Sequence, residues 1–415
     1  SKNLQIIARS ISAASALCCP RASARCINTR VLYDHYARDF SPTLAPDYPP
    51  EVLLADPEAL AGSIDARGGC GGDRIGWATV RAAAEALAAA RNAAGRLREP
   101  GRRLESSEAK LLKDEYRRLN DAFWDRALGL PNRLHPDSAA APDFSVDMAA
   151  EETPSPPGLR RLRLAGRQLE FVEPAGLRLQ SRAMDAAASL TAEAVNSAGH
   201  GWLLTRGPDW VTAPVLAACG WSEADAIDLP ADKRDSADSA DNPHLRLLLV
   251  GAASLPAMAA QLGRRQASTA SLPIRLACRG RLHAPGRQSA EALSLLHGSV
   301  SAAACDAAFA ETVELASAVW HRLANELPLP GRQRRIVART VPLERLRLGE
   351  SRRIDWTLES RDSDSLAPVP VASAAQLDEF VGRRLMCLNP RGQPLSLVHT
   401  CLLDCGSLLR TVWPE

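Results

Sequence analysis

Two long helix-forming segments follow one another between residues 77 and 128, and a short break joins them. The first, WATVRAAAEALAAARNAAGRL (77–97), is dominated by alanine, which loses no side-chain entropy in a helix. The second is predicted over 106–128, and its apolar residues form one seam: Leu112, Tyr116, Leu119 and Phe123. The break contains REPGRR (98–103), whose Pro and Gly disfavour helix. Because the connection is short, the pattern predicts an antiparallel helical hairpin.

The solvent side of this hairpin is predicted to be strongly basic. Its basic residues lie near the tip and along the second helix: Arg91, Arg96, Arg98, Arg102, Arg103, Lys110, Lys113, Arg117 and Arg118. Acidic residues are interleaved with them, so a solvated helix face is the alternative interpretation. Because the arginines at the tip are denser than the acids around them, the pattern also favours binding to nucleic-acid phosphates.

The chain as a whole is long enough to hold more than this hairpin. Its 415 residues favour about two to three domains, and 46% of them are hydrophobic, which is enough to bury a sizeable core. The net charge of +2 does not indicate nucleic-acid binding by itself, so such a site depends on local clustering. No apolar run is long enough to predict a membrane span.

The first 30 residues have the composition of a targeting segment. Residues 1–30 carry Lys and Arg, are rich in Ser and Ala, and contain no acidic residue before Asp34. This composition is typical of a mitochondrial transit peptide, and it predicts a mitochondrial matrix location. A disordered basic tail is the alternative.

The ten cysteines do not form a metal-binding pattern. No CxxC pair occurs, and Cys401 and Cys405 have no second pair at the spacing of a zinc site. The sequence therefore predicts mostly buried free thiols in a reducing compartment, and no metal site.

Residues beyond the hairpin divide into a linker and a large mixed domain. The range 138–158 is rich in Pro, Ala and Ser, which predicts a linker. After it, strand patterns occur at 168–172, 244–250, 273–279, 334–340, 353–359 and 393–399. Helical stripes lie between them, one of which contains Phe309, Val313, Ala316, Trp320 and Leu323. Several strands precede the return of a helix, so we predict an α+β fold with a mostly antiparallel sheet backed by helices. The absence of GxGxxG and P-loop motifs excludes Rossmann- and Walker-type sites.

This order of hairpin, linker and antiparallel domain resembles a seryl-tRNA synthetase. GLPNRLHPD (129–137) is similar to the family's junction after its coiled-coil arm, and GWLLTRGPDW (201–210) resembles motif 1 of class II synthetases. LVHTCLLDCGSLLRT (397–411) resembles motif 3. The resemblance implies four parts: a transit peptide (1–30), a tRNA-binding arm (50–137), the linker (138–158) and a degenerate class II synthetase-like domain (159–415).

The stretch LLVGAASLPA (248–257) takes the place of the family's Thr-x-Glu strand, which recognises the amino acid. Ala252 stands at the threonine position and Ser254 at the glutamate position. In the family, a carboxylate here holds the substrate's ammonium group. Neither alanine nor serine replaces that ion pair, so the resemblance implies a weakened amino-acid site.

Motif 2 and the strand after it also lack acidic residues that the family has at these positions. CRGRLHAPGRQ (278–288) offers Arg279 or Arg281 for the motif 2 arginine but no glutamate. The next strand keeps His297 without the family's acid, and Asp355 is the best remaining acidic candidate for magnesium, with a solvent-facing strand Asp as the alternative. The expected vestigial nucleotide and substrate site therefore comprises Ala252, Ser254, Arg279, His297, Asp355 and Arg410, the last matching the ATP-clamping arginine of motif 3.

Taken together, the resemblance implies a mitochondrial paralogue without ligase activity, similar to those of insects. We expect no catalytic residues and no ATP or magnesium cofactor, because several charge-assisted contacts are lost together. The implied partners are tRNA, foremost serine tRNA, and either the mitochondrial seryl-tRNA synthetase or a second copy of this chain. A divergent active ligase and a structural subunit that binds no RNA remain alternatives.

Overall fold

The computed structural model describes most of the chain from residue 54 onward. The described residues are 54, 56–68, 75–97, 106–140, 142–151, 158–164, 167–197, 202–229, 246–285, 289–330, 333–360 and 369–413. The predicted transit peptide (1–30) lies outside them. None of the described helices is long and apolar enough to cross a membrane.

Three helices lie in the described residues of the N-terminal part. Helix α1 spans Pro57–Arg67, α2 spans Ile75–Leu97 and α3 spans Ser106–Leu128. Helices α2 and α3 run antiparallel, because Arg96 pairs with Glu115 near one end and Arg126 donates to the carbonyl of Ala82 near the other. Phe123 is fully buried between them. Of the predicted apolar seam, Phe123 therefore packs inside the hairpin, whereas Leu112, Tyr116 and Leu119 are partly exposed.

The large domain is built on an eight-stranded sheet. In chain order its strands are β1 (Ser145–Met148), β5 (Leu203–Leu204), β9 (Ile274–Leu282), β10 (Ala290–Ser299), β12 (Arg334–Thr340), β13 (Arg352–Ser360), β14 (Val369–Asp378) and β15 (Ser396–Asp404). Their spatial order is β1-β12-β13-β14-β15-β10-β9-β5. Every neighbouring pair is antiparallel except β5 with β9, so the predicted sheet type is confirmed.

Small sheets and helices complete the domain. Strands β2 (Ala150–Glu151) and β11 (Leu329–Pro330) pair with each other, as do β3 (Leu159–Leu164) and β4 (Arg167–Val172), and β8 (Leu247–Leu249) lies between β6 (Trp210–Thr212) and β7 (Ile227–Asp228). The α-helices in the described residues of this domain are α4 (Pro174–Ser197), α5 (Ala213–Ala218), α6 (Leu255–Ala260), α7 (Ala302–Glu326), α8 (Phe380–Leu385) and α9 (Cys405–Val412).

Helix α7 fixes one layer of the core against the sheet. The predicted stripe from Phe309 to Leu323 is buried, as the periodicity requires. Trp320 is fully buried, and its indole Nε1 donates to the carbonyl of Leu402 on β15 at 3.1 Å. On β13, Ile354, Trp356 and Leu358 are buried in the predicted alternation. The core thus lies between α7 and one face of the sheet.

The predicted linker at 138–158 contains more structure than its composition indicates. Residues Ser145–Met148 form the edge strand β1, with Val146 opposite Ile336 of β12. The interpretation of this range as a linker is therefore wrong for its central part. The alternation in SVDM is too short to stand out beside the Pro- and Ala-rich residues, and the partner strand is remote in sequence.

The junction after α3 ties the hairpin to the large domain. The side chain of Asn132 donates to the carbonyls of Gly349 at 3.1 Å and Leu377 at 2.9 Å. From α1, Arg67 donates to the carbonyls of Asn132 and Arg347. The Pro-Asn segment predicted as a junction therefore anchors the base of the arm to the loop before β13.

The six cysteines in the described ranges are free and buried, as predicted for them: Cys219, Cys278, Cys305, Cys387, Cys401 and Cys405. Burial raises the pKa of Cys387 and Cys401 to about 12. These thiols therefore remain protonated at neutral pH and behave as small apolar groups.

Candidate functional site

A cavity of about 390 Å³ opens on the sheet face where β8, β9, β10, β14 and β15 meet the start of α9. Its walls combine apolar strand residues with several charged side chains. The charged and histidine side chains lining it are Asp225, His283, Arg347, Glu350, Arg353, His399, Asp404 and Arg410. The strands thus form a site that is rich in charge, although its strand tip at 252–254 carries none.

One ion-pair chain runs along the floor of the cavity. The Arg353 guanidinium lies 3.2 Å from Glu350 and 2.7 Å from Asp355. Glu350 also accepts a hydrogen bond from the backbone N–H of Arg347 at 2.9 Å. Burial opposes the charge on Arg353, but Glu350 and Asp355 outweigh it and raise the pKa of the guanidinium. Both carboxylates are therefore occupied by a cation from their own chain.

A second pair occupies the cavity wall nearer α5. The guanidinium of Arg347 lies 3.4 Å from Asp225 and stacks on the ring of Trp221 at 3.9 Å from its centroid. Asp225 also accepts hydrogen bonds from the backbone and hydroxyl of Ser222 at 2.9 Å each. Burial lowers the pKa of Arg347, partly offset by Glu350, yet it remains a cation at neutral pH. Asp225 is thus also paired with groups of its own chain.

The third carboxylate of the cavity is used to start helix α9. Asp404 accepts from the backbone N–H groups of Gly406 at 2.9 Å and Ser407 at 3.2 Å, and from the Ser407 hydroxyl at 2.7 Å. This is an N-cap, which satisfies donors that the helix leaves open. Arg410, one turn along, donates to the same Ser407 hydroxyl at 3.4 Å. Arg410 also lines the cavity.

The strand tip at 252–254, which carries no charged side chain, has a structural role. Ser254 is 1% exposed at the cavity wall, and its hydroxyl caps α6 by accepting from the N–H of Ala257. The backbone N–H of Ala252 donates to Asp209 at 2.9 Å. Gly251 before them adopts φ +92°, a left-handed conformation that only glycine adopts easily. The tip is therefore a tight turn without a charged side chain.

Arg279 and His297 do not reach this cavity. Arg279 lies outward on β9, 43% exposed, and pairs with Asp185 at 3.1 Å and Glu291 at 3.3 Å. His297 is buried at the other end of β10, where its ring is 6.4 Å from that of Trp202. Both were expected in the vestigial site, so these two expectations are wrong. If the sequence is aligned one residue out of register along a strand, each side chain is assigned to the wrong face of the sheet.

Residues other than Arg279 and His297 line the cavity at the ends of β9 and β10. Leu282, His283 and Ala284 at the end of β9, and Ala290 and Ser294 on β10, line the cavity. Burial lowers the pKa of His283, so it offers no fixed positive charge in place of a motif 2 arginine. The hydroxyl of Ser294 is buried without a hydrogen-bond partner.

Asp355 and His399 complete the electrostatics of the cavity. Asp355 is paired with Arg353 and does not line the open space, and burial raises its pKa. His399 lines the cavity, and burial with the nearby Arg347 lowers its pKa to about 3, so the ring is neutral. Within the described ranges, no three His, Cys, Asp or Glu side chains are grouped as metal ligands would be.

The basic residues of the arm are only partly described. Arg91, Lys110, Lys113 and Arg118 are exposed on α2 and α3. Arg96 instead pairs with Glu115 at 2.7 Å across the hairpin. The others, Arg98, Arg102 and Arg103, lie outside the described residues, as does the side chain of Arg117. Exposed basic side chains therefore lie on both helices of the arm.

Comparison with known proteins places the fold. No protein-family model and no curated protein matches this chain. The cytoplasmic serine-tRNA ligase of Naegleria fowleri, solved in complex with AMP, is 12% identical with a TM-score of 0.62, over 85% of this chain and 89% of that one. The seryl-tRNA synthetase of Pyrococcus horikoshii, complexed with ATP, is 11% identical with a TM-score of 0.61, over 87% and 93%. The chain therefore has a seryl-tRNA synthetase-like fold.

Proposed function

We propose that this chain is a seryl-tRNA synthetase paralogue that has lost serine–tRNA ligase activity and acts in mitochondria as a tRNA-binding partner subunit. The observation that carries the proposal is the internal pairing of charges in the cavity. With the basic, Ser-rich N-terminus, this pattern resembles that of Slimp, the seryl-tRNA synthetase-like mitochondrial protein of insects.

The cavity charges argue against amino-acid activation. Serine must be held by its ammonium group, which requires an available carboxylate. Asp225, Glu350 and Asp404 are each already bonded to groups of this chain. Displacing one charge-assisted hydrogen bond costs about 1.5–3 kcal/mol before the ligand gains anything. We therefore infer that ATP, magnesium and serine no longer bind productively.

The arm supports a role in RNA binding. Exposed Arg and Lys side chains on two neighbouring helices can follow a phosphate backbone without reading bases. Such binding weakens steeply with salt, because each neutralised phosphate releases counterions. Serine tRNA is the expected ligand on the family resemblance. The pairing partner is either the mitochondrial seryl-tRNA synthetase or a second copy of this chain.

Fluorescence anisotropy with labelled serine tRNA tests the arm. Replacing Arg102, Arg103, Lys110 and Arg117 together with Ala should weaken binding at least tenfold and flatten its salt dependence. A matched control replaces four exposed arginines outside the arm: Arg178, Arg182, Arg265 and Arg391. Equal affinity of the arm variant and wild type would refute the arm assignment. No tRNA binding by the wild type would favour a structural subunit that touches no RNA.

A divergent active ligase is the second candidate, and one observation favours it. Arg410, which matches the motif 3 arginine on the sequence resemblance, lines the open cavity. An active ligase needs a carboxylate for the ammonium group of serine, so one of the paired carboxylates of the cavity would have to give up its partner within the chain. Serine-dependent exchange between ATP and pyrophosphate would separate this candidate from the proposed function.

A further inference from the structure

One corner of the cavity combines an aromatic ring with a carboxylate. The ring of Trp221 forms one side of this corner, and the guanidinium of Arg347 lies over the ring at 3.9 Å from its centroid. The Asp225 carboxylate lies 3.4 Å from the same guanidinium. An aromatic face beside a carboxylate is a combination that holds guanidinium and substituted ammonium groups. We call the space between Trp221 and Asp225 the cation corner.

The charged groups that face Arg347 differ in how they are bonded. Burial lowers the pKa of Arg347, whereas Glu350 raises it. Arg353 also lowers this pKa, and Asp225 and Asp355 also raise it. Glu350 and Asp355 are both paired with Arg353, at 3.2 and 2.7 Å. Within the described residues, Asp225 has Arg347 as its one salt-bridge partner, so without that guanidinium its carboxylate would lack a cation.

The loop that carries Arg347 is held from outside by the base of the arm. The guanidinium of Arg67, on α1, donates to the carbonyl of Arg347 at 2.9 Å. The side chain of Asn132 donates to the carbonyl of Gly349 at 3.1 Å, and its backbone N–H donates to the carbonyl of Leu348 at 2.7 Å. The backbone that presents the Arg347 side chain to the cation corner is therefore fixed by two other segments of the chain.

A side chain fixed in this way competes strongly with dissolved ligands. A group tethered near its site acts at an effective concentration of about 1 mM or more, even on a short flexible linker. Part of the entropy that a free ligand loses on binding is already lost here when the chain folds. A dissolved cation of the same chemistry would therefore have to exceed this effective concentration to displace Arg347.

We propose that Arg347 is a built-in ligand of the cation corner, where it fills a latent site for guanidinium or substituted ammonium groups and keeps such groups out of the cavity. Trp221 and Asp225 supply the contacts, and Arg67 and Asn132 hold the loop in place. The inference rests on the proposed loss of ligase activity, because a filled corner denies the cavity a carboxylate for an amino group. It adds the chemical class of ligand that the corner binds once Arg347 is removed.

Binding of methylguanidinium to the full-length chain, measured by isothermal titration calorimetry, tests the latent site. This small cation carries the charged group of an arginine side chain, and it is used at concentrations far below those that denature proteins. Arg347→Ala should bind it at least tenfold more tightly than the wild type, whose own guanidinium fills the corner. Arg345→Ala is the matched control, because it removes an exposed arginine two residues away that does not line the cavity. The control should bind no more tightly than the wild type.

A second substitution locates the bound cation. Adding Asp225→Asn to the Arg347→Ala chain removes the carboxylate of the corner and should abolish the gain in affinity. Methylguanidinium should also raise the midpoint of thermal unfolding of Arg347→Ala and leave that of the wild type unchanged, because a ligand stabilises the folded state that binds it. If Arg347→Ala does not fold alone, methylguanidinium added during refolding should restore the fold.

Three results would overturn the inference. They are an Arg347→Ala chain that methylguanidinium neither binds nor restores, a wild type that binds this cation as tightly as the variant, and a gain in affinity that survives Asp225→Asn. The proposed function is judged by a different measurement, serine-dependent exchange of pyrophosphate into ATP by the wild type. Exchange by the wild type would refute the proposed function, whereas the methylguanidinium titrations decide on the cation corner.

Discussion

Replacing Gly251 with alanine should destabilise the turn that brings β8 to the cavity. Gly251 has φ +92°, and a side chain in a left-handed conformation costs about 1–2 kcal/mol. An added Cβ would lie 2.1 Å from the carbonyl oxygen of Arg281, so β8 and β9 must separate. That separation strains two backbone hydrogen bonds, His283 to Val250 at 3.0 Å and Ala253 to Arg281 at 3.2 Å. At about 0.5–1.5 kcal/mol for each hydrogen bond, the total loss of stability is about 2–5 kcal/mol.

Gly392 provides the matched control for this substitution. It also has a positive φ, +76°, but an added Cβ there meets nothing within 4 Å. Gly392→Ala should therefore lose only the conformational part, about 1–2 kcal/mol. Urea unfolding followed by tryptophan fluorescence measures the free energy of unfolding of both variants. The two values are compared provided that the m-values are equal. A Gly251→Ala variant within about 0.5 kcal/mol of Gly392→Ala would refute the close approach of the two strands.

Two further predictions concern the buried core and the arm. His297 has a pKa of about 4, below its ordinary 6.5, so the unfolded chain takes up its proton first as the pH falls. The free energy of unfolding should therefore fall by about 3 kcal/mol for this group as the pH is lowered from about 6.5 to 4. His297→Gln should make the free energy of unfolding less dependent on pH over this range. The same pH dependence in wild type and variant would contradict a buried neutral ring. On α2, a Cβ at Gly95 meets nothing within 4 Å, so Gly95→Ala should stabilise the arm by about 0.4–1 kcal/mol in thermal unfolding. A loss of stability there would contradict the helical assignment.

Elements with strong local patterns were predictable from the sequence. The strand predicted at 334–340 and the helix predicted at 106–128 have these bounds in the structure. Their patterns come from neighbouring residues in the chain, so tertiary structure is not needed to recognise them. The strand predicted at 393–399 instead begins at Ser396 and continues to Asp404, because its end is defined by pairing with β10.

The cavity could be predicted only in part. Arg410 and Ser254, which the sequence placed in one site, both line this cavity, and each stands next to a recognisable turn or helix start. Arg347 and Glu350 lie in a loop before β13, and only the folded domain brings Arg347 to Asp225. The charged residues of this loop follow no periodic pattern, so the sequence does not indicate which partners they pair with. Arg279 and His297 were misassigned because the face of a strand depends on a register that one sequence does not fix.

The central claim is that charges paired within the cavity leave no site for activating serine. The most direct test is serine-dependent exchange of pyrophosphate into ATP by the full-length chain, with magnesium present and an active seryl-tRNA synthetase as the positive control. The account predicts no exchange above the rate without enzyme, at serine and ATP concentrations that saturate the control. Exchange that requires serine and is abolished by Arg410→Ala would contradict it, since the cavity would then bind and activate the amino acid.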